Sequence, residues 1–151
     1  PDKDFKPFIE RAVEFYAQNL IKSKRLRDNI QLTIKFNTKL TVWALASIEE
    51  YNASNKAREF LIEIHPWLGA AEILKTLAHE MVHIKQFAKG QLKRIGRQTF
   101  WMGKRYVRSK VNYYDHPWEH DAWSKEKFLS AKIFKILSKE NEKFERSQRK
   151  S

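Results

Sequence analysis

The chain contains no cysteine. That excludes disulfides and every thiolate-based zinc site, and it fits a reducing compartment, so the expected location is cytoplasmic. Glycine and proline are scarce, four of each among 151 residues. With 42% hydrophobic residues, that scarcity excludes a globally disordered chain. No apolar run approaches the roughly 20 residues that a membrane helix needs, and no secretory signal pattern is visible, so no membrane partner is expected. Acidic side chains are missing from one long stretch. Met81 to Tyr114 holds none, while it carries Lys85, Lys89, Lys93, Arg94, Arg97, Lys104, Arg105, Arg108 and Lys110.

That basic stretch, 85–110, supplies much of the net charge of +12. Phe100, Trp101, Tyr106, Tyr113 and Tyr114 are interleaved with it or follow it. Cations among aromatics suit a nucleic-acid surface. The same charge would attract an acidic protein substrate, and a solvated face is the plain alternative.

The length fits one domain with a real core, expected over 1–138, followed by a charged helical or disordered tail over 139–151. Asp4 to Ile21 has helical apolar spacing. Ile30 to Phe36 and Glu59 to His65 alternate apolar and polar residues as strands with one buried face, and Thr41 to Tyr51 is mixed. Ala70 to Lys89 holds no proline or glycine and carries an apolar stripe of Leu74, Leu77, Met81, Ile84 and Ala88. Residues 91–114 read as irregular or as a hairpin around Met102-Gly103, and Pro117 to about Leu137 as a second long helix. The fold class expected is α+β, with an N-terminal helix and a small, mostly antiparallel sheet ahead of two long helices.

The motif that carries chemistry is His79-Glu80-Met81-Val82-His83. Residues four apart on a helix lie on one face, so both imidazoles can point at one metal ion. Glu80, beside the first of them, can reach a water held by that metal. Two histidine ligands with an adjacent general base form the core of a zinc hydrolase. A catalytic zinc takes a third protein ligand and keeps a position open. The chain offers Glu119, His120 and Asp121 in Pro117-Trp118-Glu119-His120-Asp121-Ala122. They point in different directions around a helix, so one of the three faces the ion. Glu119 also reads as an acid in the first turn of a helix, favoured by the dipole with no metal at all.

His-Glu-x-x-His paired with a later Pro-Trp-Glu-x-x-Ala resembles the gluzincin metallopeptidases, and the small size resembles their compact SprT-like, minigluzincin and phage-encoded members. The resemblance covers residues 70–90 and 113–123. It implies a zincin-like fold in which strand, turn and strand precede the metal helix and an edge strand pairs with an extended peptide. It implies one Zn2+ held by His79, His83 and Glu119, with Glu80 as the base. No histidine stands between His83 and His116, which disfavours the three-histidine arrangement of SprT proteins proper. Many gluzincins have an aspartate four residues after the glutamate; here that position is Trp123, so the orienting carboxylate must come from elsewhere, with Asp121 a candidate.

The expected activity is hydrolysis of a protein or peptide substrate. The oxygen that gains charge during attack needs a further donor, for which Tyr114 and His116 stand closest in sequence to the third ligand, with Tyr113 and Arg105 as others. The alternatives are a protein acting on DNA-bound proteins, as the SprT resemblance implies, and a metal-binding interaction protein without catalysis.

Overall fold

The computed structural model describes residues 5–110 and 112–150, apart from the side chains of Tyr114, Phe144 and Lys150. The fold is α+β. Helix α1 runs over Phe5–Leu20 and buries Ile9, Ala12, Phe15 and Tyr16, spaced by three, three and one. Asp4, the expected start of that helix, lies outside the described residues. The Tyr16 hydroxyl donates to the Leu74 carbonyl at 2.8 Å, so this polar group enters the core with a partner. A short helix α2, Lys24–Asp28, follows, capped by Ser23, whose Oγ accepts from the Leu26 N–H at 3.1 Å.

The first sheet contains β1 (Gln31–Phe36), β2 (Ala44–Tyr51) and β3 (Ala57–Ile64) in the order β1-β3-β2. This sheet is mixed, with β1 parallel and β2 antiparallel to β3; the pairings of the second sheet, described below, are all antiparallel. The middle strand is the most apolar, burying Phe60, Ile62 and Ile64. A tight turn joins β2 to β3, where the Asn52 Oδ1 accepts from the backbone N–H groups of Ser54 and Lys56.

Helix α3, Ala70–Ala88, packs against β2, β3, α1 and α4. From Leu77 to Ile84 every residue is buried, including the polar ones. The segment 91–114, read as irregular or as a hairpin around Met102-Gly103, holds an ordered meander of β4 (Leu92–Ile95), β5 (Gln98–Trp101) and β6 (Lys104–Tyr106). Its second hairpin turns at Met102-Gly103, both with positive φ (51° and 83°), the pattern of a two-residue type I′ loop. Register places Leu92, Trp101, Thr99 and Tyr106 on the inner face, where the Trp101 and Tyr106 rings pack on Trp118. Lys93, Phe100 and Arg105 line up on the outer face.

Helix α4 begins at Pro117 and reaches Lys150, so the charged tail continues the helix rather than ending it near Leu137. Trp118, Ala122, Leu129 and Ile133 face the core. Beyond the core the helix is held by side-chain pairs, among them Arg11 with Glu140 at 3.1 Å. No helix among the described residues is long and apolar enough to cross a membrane.

Candidate metal centre

The middle of α3 faces the first turns of α4. His79 and His83, one turn apart, present their Nε2 atoms 3.2 Å from each other. The Glu119 Oε1, from α4, lies 2.9 Å from the His79 Nε2 and 3.1 Å from the His83 Nε2. All three side chains are buried. These donors form the one group of potential metal ligands among the described residues. Of the three possible third ligands, Glu119 is thus the one brought to the histidines. His120 is exposed beside Trp123, and Asp121 turns to Gln86 and Lys125.

Protons on the outer ring nitrogens follow from the network. The Gln86 Nε2 donates to the Trp118 carbonyl at 3.0 Å and to the Asp121 Oδ2 at 2.9 Å, both pure acceptors. That fixes the amide, so its Oε1 faces the His83 Nδ1 at 2.8 Å and must accept from it. The His79 Nδ1 likewise donates to the Glu126 Oε2 at 2.6 Å. In the neutral tautomers both Nε2 atoms are then bare lone pairs, aimed with a carboxylate oxygen at one point. Three acceptors converging in a buried site require a cation among them, a proton or a metal.

The dimensions suit a metal. Tetrahedral bonds of about 2.0–2.2 Å set ligand atoms of one Zn2+ roughly 3.3–3.6 Å apart, somewhat wider than the 2.9–3.2 Å here. The electrostatics agree. Burial opposes ionisation of Glu119, but the hydrogen bonds and charge of His79 and His83 outweigh it and hold the carboxyl down, at about 2. Burial also works against a charged His79, yet Glu119, Glu80 and Glu126 together raise its proton affinity above the ordinary value. The place is built for positive charge.

Sequence reasoning missed Glu126 and the role of Gln86. Glu126 stands seven residues after Glu119, two turns along the same face, and that spacing is the signal that could have found it. It supplies the carboxylate that Trp123 cannot, with Lys75 at 4.0 Å beside it. Asp121 reaches the histidines only through Gln86.

Glu80 is buried next to this triangle. Burial raises its pKa, against the charge of His83 and His79, while the backbone of Ala46 hydrogen-bonds its carboxylate. Ala46 belongs to β2, a sheet edge. The His65 N–H bonds to the Trp43 carbonyl at 2.9 Å, so in this antiparallel register Trp43, Leu45 and Ser47 pair with β3 and the backbone groups of Ala44 and Ala46 point outward. Along that edge runs a cleft of about 650 Å³, walled by Val42, Trp43, Ala44, Leu68, Tyr113 and Trp123, with His79, Glu80 and Glu126 in its lining.

Of the expected oxygen-stabilising residues, Tyr113 borders the cleft. The Tyr114 side chain lies outside the described residues. His116 is buried away from the cleft lining, its ring stacked on Trp118 at 4.5 Å, where it packs the start of α4. Arg105 projects from the outer face of the meander. Scans of protein-family models, curated proteins and solved structures each return no match to this chain.

Proposed function

We propose that this protein is a zinc-dependent metallopeptidase of zincin-like, gluzincin-type design, hydrolysing peptide bonds in a protein or peptide substrate. The observation that carries the reading is the convergence of the His79 Nε2, His83 Nε2 and Glu119 Oε1 on one point, beside a buried glutamate and an open strand edge. His79, His83 and Glu119 would hold the ion, oriented by Glu126 and by Gln86 with Asp121 behind it. Zinc bound there supplies Lewis acidity for a carbonyl oxygen and lowers the pKa of a water toward neutrality.

The chain's own groups do the rest. An extended peptide lies along β2, its main chain pairing with the outward backbone groups of Ala44. Glu80 takes a proton from the attacking water as the new C–O bond forms, and returns it to the amide nitrogen as the C–N bond breaks. A carboxylate and an amine leave. Its raised proton affinity suits a base that must hold the proton between the two steps. Tyr113 lines the cleft, and we assign its hydroxyl as the donor to the carbonyl oxygen.

The test has two parts. Elemental analysis of the purified protein should give one zinc per chain. Glu80→Gln should keep that zinc and lose cleavage of unfolded protein or peptide substrates by 10²-fold or more. A Glu80→Gln protein as active as wild type, or a wild type that binds no zinc, overturns the proposal.

A further inference from the structure

The basic stretch does not stay together in space. Lys85 turns toward Asp121 and Lys125, beside the candidate metal centre. Lys89, Lys93 and Arg94 instead line one side of a separate groove of about 590 Å³. Its other side comes from the end of the turn between β2 and β3 and the start of β3, through Lys56 and Arg58. An adjoining recess reaches Arg25 on α2 and shares Lys56 and Arg58, with Glu59 as the one carboxylate in its lining. No carboxylate lines the groove itself, and among the described residues none of its five cations is ion-paired.

Two of these cations are ordered in advance. The Arg58 guanidinium donates to the Ala57 carbonyl at 2.7 Å and the Ala88 carbonyl at 2.9 Å, leaving its other N–H groups free for the groove. The Arg94 guanidinium sits over the Phe87 ring, 5.5 Å from its centre. Flat apolar surface stands beside the charge. Tyr51 is 43% exposed at one wall and Ile95 is 62% exposed at the other. Beyond Lys93 the row continues across the outer face of the meander to Phe100 and Arg105.

We propose that this groove binds single-stranded nucleic acid. Five cations in one groove, none ion-paired among the described residues, match a backbone with one charge per nucleotide. Tyr51 and the stacked Arg94 offer planes for unpaired bases, which a duplex keeps hidden. An acidic protein would use the charge but has no use for the stacking surfaces. The groove shares no lining residue with the cleft at His79 and Glu80, although Arg94 also feels the charge of Glu119.

Fluorescence anisotropy of a labelled 15-nucleotide oligodeoxythymidine with the zinc-loaded full chain tests this, with a duplex and polyglutamate as competitors. Binding should fall steeply with salt. Lys56→Glu with Lys93→Glu should weaken it at least tenfold, and the slope of log K against log salt should shrink by about 1.4, two phosphates at roughly 0.7 each. Tyr51→Ala should weaken binding at an unchanged slope. The neutral pair Lys56→Gln with Lys93→Gln, expected to lose affinity in the same direction, serves should the charge reversals disturb folding by circular dichroism. No binding at low salt, no effect of either pair, or competition by polyglutamate equal to that of unlabelled oligonucleotide overturns the proposal; the last would point to an acidic protein. No arm depends on peptidase activity, so the metal-centre reading stands or falls separately.

Discussion

Two groups of polar side chains meet α3, one at its middle and one at its C-terminal end, and they follow opposite rules. At the middle, His79, His83, Gln86 and Glu119 are buried, and their ring nitrogens and amide have identifiable partners. At the end, Lys89, Lys93 and Arg94 border an open groove, and none of them is ion-paired among the described residues. Burial makes an unpaired polar group cost several kcal/mol, so the middle is built as a closed network in which each of these side chains has a partner. Water tolerates unpaired charge, so the end could be left free for an anion. The first region is held by its own hydrogen bonds; in the second, Arg58 and Arg94 are fixed against Ala57, Ala88 and Phe87 while the lysines are left to water.

The largest effect that would break this contrast is at the triangle. Glu119→Ala should abolish stoichiometric zinc, measured by isothermal titration calorimetry, because two imidazoles alone leave the ion half-coordinated. Retention of wild-type affinity would mean that another residue is the third ligand. Next in size is the orienting shell. Glu126→Gln should lower zinc affinity 10–100-fold while one zinc still binds at saturation. An unchanged affinity would reduce Glu126 to a surface partner of Lys75.

Acidity should separate the zinc-free and zinc-loaded forms. Without metal, the raised pKa of His79 adds stability that is present below its ordinary 6.5 and lost as pH rises through the folded value. The depressed pKa of Glu119 adds stability present above 4.5 and lost as pH falls toward about 2. Zinc must displace the proton on His79, so the rise in Tm on adding zinc should be larger at about pH 7.5 than at about pH 5.5. Equal increments by differential scanning fluorimetry would show that no proton competes. The smallest effect belongs to the groove. Lys56→Glu with Lys93→Glu should leave zinc affinity unchanged and move unfolding free energy by no more than about 0.5 kcal/mol per site, as exposed substitutions do. A larger shift would mean that the cations hold the fold together.

Much of this was legible along the chain. The apolar stripe of α3 is buried as its spacing requires, and β1 and β3 start and stop within two residues of their alternating runs. His79 and His83 could be read because helix geometry alone brings residues four apart to one face, with Glu80 beside the first of them. Less legible was whatever depends on which segments meet. The parallel pairing of β1 with β3 is invisible to alternation, which is the same for either direction. The basic run looked like one surface, yet folding splits it and adds Lys56 and Arg58 from a distant turn and the start of β3.

The sequence by itself determined the local elements and the spacing of His79, Glu80 and His83, because these follow from backbone periodicity within a few residues. Tertiary structure alone decided that Glu119 rather than His120 or Asp121 meets the histidines. It also decided that Glu126 and Gln86 fix their tautomers and that Glu80 leans on the edge of β2. Those choices depend on the rotation of α4 against α3. That rotation is set by burying Trp118, Ala122, Leu129 and Ile133 together, a packing outcome that no single stretch of the chain encodes.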